Sequence, residues 1–199
     1  MIRCPWATGE LMIVYHDCEW GVPIHDDQQL FEFLILEGAQ AGLSWSTILN
    51  KRTAYRTAFE NFDPLKIANF GKNEVEALIT DSAIVRNRRK IESTIKNAKV
   101  FLSIQEKFGS FDSYIWRFVD GSPINNQFIS MAEIPAETDL SRVISKELKI
   151  RGMSFVGPTI IYAFMQAVGI VNDHLMDCFR YSEIKNDGGK TNEHISRKS

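Results

Sequence analysis

A chain of 199 residues, 44% hydrophobic and 24% charged, is sized for one compact unit or two small lobes, which excludes a large multidomain machine and a disordered or low-complexity segment. Basic residues number 23 against 25 acidic, a net charge of −2, so no global cationic field advertises nucleic acid. Any such partner must be held by a local patch or by backbone groups. Three cysteines at wide spacing, Cys4, Cys18 and Cys178, are unlike the framework of a small secreted domain. The opening MIRCPWATGE lacks the apolar core of about 7–15 residues that a secretory signal needs, so a cytoplasmic location is expected.

Apolar residues recur mostly at intervals of three and four and strand-like alternation is scarce, which predicts an all-α protein. The first helix expected runs from about Asp27 to Ala41; its middle, LFEFLILEG, has hardly a polar face and must sit deep. Ser44 is a good N-cap for a second helix through Phe59, and Asp63-Pro64 starts a short third. Asn73 is a candidate cap for NEVEALIT. Asp81 or Ser82 begins a long helix to about Lys107, stopped by Gly109, and Ser110 opens FDSYIWRFV. The stretch from Gly121 to Asp139 reads as a long surface connection. Helices resume at about Leu140–Ile150 and Pro158–Ile170, followed by a short one around His174–Cys178. The charge-free run from Pro158 to Ile170 reaches only about 20 Å as a helix, short of a bilayer's roughly 30 Å, and reads as a core helix with no membrane partner. From residue 183 onward there is almost nothing to bury, and a flexible tail over 183–199 is expected.

Four groupings carry chemistry. His174 and Cys178 stand four apart, on one face if helical, and Cys4 and His16 supply a second thiol and imidazole from the other end of the chain. Two thiolates and two imidazoles suit a closed tetrahedral zinc that would staple the termini, although the Cys4–His16 spacing is no recognised finger and plain core burial is the alternative. Cys18 competes, but its alternation with His16 sets it on the opposite side of an extended segment. Second, Trp6, Tyr15, Trp20 and Trp45 accompany Glu37, an acid inside the most apolar helix. A carboxylate there must cap a neighbour, meet an arginine or be reserved for a ligand, and π faces with a carboxylate make a receptor for a flat cationic ring. Third, the turn Arg151-Gly152-Met153-Ser154-Phe155-Val156-Gly157 lies between two helices and leaves backbone N–H groups at a helix N-terminus, a phosphate-binding arrangement, or else an ordinary turn. Fourth, the basic run Arg86-Asn87-Arg88-Arg89-Lys90, continued by Lys96 and Lys99, reads as a solvated helix face, and Lys146, Lys149 and Arg151 beside the hairpin are better placed to meet phosphates.

The blocks Tyr15-His16-Asp17-Cys18-Glu19-Trp20-Gly21-Val22-Pro23, Leu36-Glu37-Gly38-Ala39-Gln40-Ala41-Gly42-Leu43-Ser44-Trp45, Gly152-Met153-Ser154-Phe155-Val156-Gly157 and Asn172-Asp173-His174, in this order, resemble the bacterial DNA-3-methyladenine glycosylase I family over about residues 2–180. Several long ordered blocks are far more specific than one short motif. The resemblance implies an all-α, two-lobed helix-hairpin-helix architecture: one unit over 1–182, one lobe from roughly 1–45 plus 165–182 and a central lobe over 46–164. It implies a monofunctional, monomeric hydrolase that extrudes 3-methyladenine from alkylated double-stranded DNA, breaks its N-glycosidic bond and releases the free base, leaving an abasic site.

By position, the resemblance makes Cys4, His16, His174 and Cys178 the ligands of one structural zinc. It makes Glu37 the acid that hydrogen-bonds the base and serves catalysis, Trp45 the ring that stacks on it, and Tyr15, Trp6 and Trp20 the rest of the pocket. Arg151 to Gly157 becomes the hairpin that holds the DNA backbone. Related glycosylases place an aspartate some 20 residues past the hairpin; Asn172 and Asp173 are the nearest candidates here, and the water-activating group stays open. A DNA-damage-binding module without catalysis, and a zinc hydrolase of small molecules, are the competing readings.

Overall fold

The computed structural model describes residues 1–193, with side chains through residue 186, and its regular secondary structure is almost wholly helical. In chain order the helices are α1 (Glu10–Cys18), α2 (Asp27–Gln40), α3 (Trp45–Ala58), α4 (Pro64–Ala68), α5 (Lys72–Thr80), α6 (Arg88–Phe108), α7 (Phe111–Trp116), α8 (Asp139–Ile150), α9 (Pro158–Ala167) and α10 (Phe179–Glu193). The strands among the described residues are β1 (Ile124–Asn125) and β2 (Val171–Asn172), paired in parallel with Ile124 opposite Val171. The mostly helical expectation is met.

Helix α2 is the axis of the molecule. Asp26 caps it by accepting the Gln29 N–H at 2.9 Å, and every residue from Leu30 to Ala39 is buried. Phe31 meets Phe101 of α6 at 4.9 Å between ring centroids, and Phe101 stacks on Phe111 of α7 at 4.3 Å. The Asp27 carboxylate reaches out of the same helix to accept the N–H groups of Phe111 and Asp112 at 2.8 and 2.7 Å, so α2 caps α7 from outside.

The local signals for helix starts hold at Ser44, Asp63 and Ser110, each of which accepts a first-turn N–H. Elsewhere tertiary contacts move the boundaries. Helix α5 begins from Gly71, not Asn73, because Glu74 turns back onto the Gly71 N–H at 2.7 Å. Helix α6 starts at an Asn87 cap rather than at Asp81 or Ser82, since Ile84 is buried in the preceding turn. Helix α9 stops at Ala167 instead of Ile170: Gly169 has φ +74°, and a Cβ there would lie 2.5 Å from the Pro23 nitrogen.

Two further expectations are corrected, and the segment after residue 182 gains a helix. Residues 10–18 form a helix and not an extended segment, so Cys18 faces away from His16 because two helical steps turn about 200°, and it is exposed. His174 to Cys178 is a pair of turns, closed by the Cys178 N–H on the Leu175 carbonyl at 2.8 Å, and not a helix. The expected tail from residue 183 is helical through Glu193, anchored by Tyr181 and Ile184, both buried; 194–199 lie outside the described residues. The connection over 121–139 is largely irregular, as read, but it also carries β1 and a short 3₁₀ turn at Met131–Glu133.

Candidate active site

Helices α1, α2, α3 and α9 converge on a cavity of about 410 Å³. Tyr15 comes from α1, Glu37 and Gln40 from the end of α2, Trp45 from the first turn of α3, and Thr159, Tyr162, Ala163 and Gln166 from one side of α9. Trp6 and Trp20 add further wall, and Met131, Ile134, Pro135 and Ala136 close one side. Trp6 meets Trp20 edge-on at 4.9 Å and Tyr15 at 6.4 Å, while Tyr15 and Trp45 are 5.4 Å apart and tilted. The five pocket residues expected from sequence are therefore in one place.

Glu37 is 4% exposed, and among the described residues its carboxyl has no hydrogen-bond or ionic partner. Burial alone pushes its pKa up to about 8. Tyr15 is raised well above a phenol's ordinary value, first by burial and then by the charge of Glu37, and stays an O–H donor. The contrast is with Glu32, one and a half turns earlier, which is equally buried but ion-paired with Arg52 at 2.5 Å and Arg56 at 2.8 Å. Arg52 also bonds Glu19, tying the end of α1 to α2 and α3. An unpaired neutral acid among indole faces can accept hydrogen bonds from a ring N–H and ionise when a cation arrives.

Behind the cavity, Asp173 is fully buried and accepts from Tyr162 Oη at 2.5 Å, Asn126 Nδ2 at 2.6 Å and Gln166 Nε2 at 2.8 Å. Asn172 is buried too, donating to Asn125 Oδ1 and the Tyr181 carbonyl. Sequence reasoning missed the α9 face and the 131–136 wall; Gln166, a polar residue four after Tyr162 in an apolar helix, was the one available signal.

At the termini, Cys4, His16, His174 and Cys178 are all buried with their donor atoms within 4.8 Å of one another. Cys4 Sγ and Cys178 Sγ lie 3.7 and 3.6 Å from His174 Nδ1, and Cys178 Sγ lies 3.4 Å from His16 Nε2. A tetrahedral ion with bonds of about 2.0–2.3 Å places its donors roughly 3.3–3.8 Å apart, and these three separations match it. The outer nitrogens are engaged as such a site requires: His16 Nδ1 with Asp17 at 2.8 Å, and His174 Nε2 with the Trp20 carbonyl at 3.0 Å. Cys4, hydrogen-bonded to Cys178, pulls that thiol far below its ordinary value, and Cys4 is itself pushed up: the pair holds one proton where a cation would sit. Trp20 lies between this cluster and the cavity, 4.6 Å from His174.

The turn between α8 and α9 stands against α2. A Cβ on Gly38, the residue after Glu37, would lie 3.2 Å from the Phe155 carbonyl oxygen. Asn97 of α6 clamps the turn, donating to the Ser154 carbonyl and accepting its N–H, both at 2.9 Å. The N–H groups of Phe155, Val156 and Gly157 have no acceptor among the described residues, and Pro158 at the first position of α9 has none to give. Arg151 turns inward, its guanidinium 5.1 Å from the rings of both Phe108 and Tyr114 and 3.6 Å from Glu147.

A family model described as methyladenine glycosylase matches residues 6–181. The chain belongs to that family. Among methyladenine glycosylases, it is 47% identical to the DNA-3-methyladenine glycosylase of Haemophilus influenzae over 177 residues, covering 88% of this chain and 96% of that one. It is 47% identical to DNA-3-methyladenine glycosylase 1 of Escherichia coli over 182 residues, covering 91% and 97%. The solved structure of 3-methyladenine DNA glycosylase I from Staphylococcus aureus, described for its 3-methyladenine recognition, superposes with a TM-score of 0.86 at 36% identity, covering 89% of this chain and 95% of that one. No described helix is long and apolar enough to cross a membrane.

Proposed function

We propose that this methyladenine glycosylase removes 3-methyladenine from alkylated duplex DNA by hydrolysing its N-glycosidic bond. The observation that carries the reading is Glu37, buried without a partner among the described residues on the wall of an aromatic cavity. Methylation at N3 gives adenine a positive charge and weakens its bond to the sugar. The indole faces of Trp6, Trp20 and Trp45 and the ring of Tyr15 favour that charge, and Glu37 accepts hydrogen bonds from the adenine edge. As the bond breaks, its electron pair goes to the base, which leaves uncharged. The oxocarbenium-like sugar takes the oxygen of water at C1′ and water's second proton passes to solvent.

Such a leaving group requires no strong acid, and Glu37, which ionises as the cation arrives, serves recognition of the charged base. Asp173 already accepts three hydrogen bonds and Asn172 is buried in the β pair, so the water-activating group stays unassigned. No lysine lines the cavity among the described residues, in keeping with simple hydrolysis rather than a covalent lyase step.

The turn from Arg151 to Gly157 serves as the hairpin of a helix-hairpin-helix DNA grip, its free N–H groups and the α9 N-terminus taking a backbone phosphate. Thr159, two residues beyond it, already lines the cavity, so the phosphate grip and the base slot are adjacent. Zinc is the ion that suits Cys4, His16, His174 and Cys178. Four protein ligands leave no open position, and its chemistry is structural: it fastens the chain ends and fixes Trp20 through His174.

The test is chromatography of bases released from methylated duplex DNA by the wild-type protein and by Glu37→Gln. Free 3-methyladenine from the former and little from the latter is expected. Binding of duplex with no released base would replace this reading with that of a damage-binding module.

A further inference from the structure

The hairpin's own cation is withdrawn from any phosphate. Arg151 donates Nε to the Tyr114 hydroxyl at 3.3 Å, lies over two aromatic rings and faces Glu147. The surface it leaves must still hold an anion on a chain of net charge −2. A second cation stands there, from an element far away in sequence. Lys96 of α6 is exposed, and its Nζ lies 3.4 Å from Ser154 Oγ in the middle of the turn. It makes no ion pair among the described residues. Its neighbour Asn97 is the residue that clamps Ser154 by both backbone groups, which keeps the backbone of Lys96 beside the turn and its ammonium within reach of it.

We propose that Lys96 is the cation of the DNA-backbone grip, taking the same phosphate as the free N–H groups of Phe155 to Gly157. The proposal rests on the reading of this turn as a DNA-binding hairpin. The backbone dipoles supply direction and the ammonium supplies charge; each phosphate neutralised by a lysine releases condensed counterions, which makes its contribution visible as salt dependence. The basic run thus has a functional end at the hairpin, while two of its other cations serve other contacts: Arg88 pairs with Glu76 at 2.9 Å and Lys90 is bonded to carbonyls.

The experiment measures binding of unmethylated duplex DNA by fluorescence anisotropy across a salt series, with Lys96→Gln, Lys96→Arg and Lys107→Gln. Lys107 lies on α6 about 16 Å further along and serves as a control of equal charge change. Lys96→Gln is expected to weaken binding about 5- to 10-fold near 0.1 M salt and to lower the slope of log affinity against log salt by about 1, with Lys96→Arg restoring most of both. Binding of free 3-methyladenine, read by tryptophan fluorescence, should be unchanged, which separates a phosphate contact from damage to the fold. A wild-type slope in Lys96→Gln, an equal loss in Lys107→Gln, a Lys96→Arg protein no better than Lys96→Gln, or lost base binding would each overturn the proposal. Because this assay needs no base release, failure of the glycosylase reading and failure of the Lys96 assignment are read separately.

Discussion

The buried carboxylate of Asp173 receives the Tyr162 hydroxyl at 2.5 Å, and with it sets the orientation of a ring that lines the cavity. Tyr162 is driven above the ordinary phenol range by burial and then by this bond, so it remains the donor. Asp173→Asn replaces one acceptor oxygen with an N–H₂ that meets other donors. It should destabilise the protein by about 2–4 kcal/mol, because a buried network is left partly unsatisfied. Denaturant melts and free-base affinity check it: both should fall, the second because Tyr162 and Gln166 lose their anchor.

Glu37 makes stability fall as pH rises. Its carboxyl is held up to about 8 when folded against 4.5 for an ordinary glutamate, so between those values the folded chain keeps a proton that the unfolded chain has released. The unfolded state then binds fewer protons, and each step up in pH through the window lowers unfolding free energy. Glu37→Gln cannot ionise: it should match the wild type near pH 4 and be more stable by a few kcal/mol near pH 9. Thermal melts across that range test this, and a wild-type curve parallel to that of the variant would contradict it.

A cationic purine should reverse part of that penalty. When it enters, the carboxyl ionises and a proton leaves, so affinity for an N-methylated purinium should rise with pH up to about 8 and level off above. In Glu37→Gln the affinity should be low and flat. Calorimetry in buffers of different ionisation enthalpy reads the released proton directly.

Metal removal should loosen the ends before the centre. One zinc per chain is expected by elemental analysis, and chelation under mild denaturant should lower the melting temperature and first release amide protection near Cys4 and Cys178. Cys178→Ser should bind the ion more weakly and lose stability, whereas Cys18→Ser, at an exposed position outside the cluster, should do neither.

Lys90 holds the end of α2. Its ammonium donates to the carbonyls of Ala39 and Ala41, each at 2.7 Å, although burial pulls its pKa down. Lys90→Met leaves those acceptors bare just after Glu37 and before Trp45, and should reduce excision about 10-fold while costing about 1–2 kcal/mol in stability. A variant with full activity and equal stability would show that the α2 end is held by packing alone.

The helical class, the deep burial of α2 and the caps at Ser44, Asp63 and Ser110 were legible in the sequence because each rests on residues within one or two turns. So were the ordered blocks that carry the family resemblance, and with them the gathering of Trp6, Tyr15, Trp20, Trp45 and Glu37. What could not be read is anything decided by a partner distant along the chain. LFEFLILEG holds two acids of similar promise, and only the approach of α3 gives Glu32 its arginines and, among the described residues, leaves Glu37 none. His174 and Cys178 come together without the helix their spacing suggests, because Cys4 and His16 supply the other half of the cluster. Arg151 looks like a phosphate ligand in sequence and is drawn off by Phe108 and Tyr114, while Lys96, a solvated charge by pattern, is set beside Ser154. Periodicity encodes which face of a helix is buried; the charge state and purpose of a buried group depend on what the rest of the chain brings against that face.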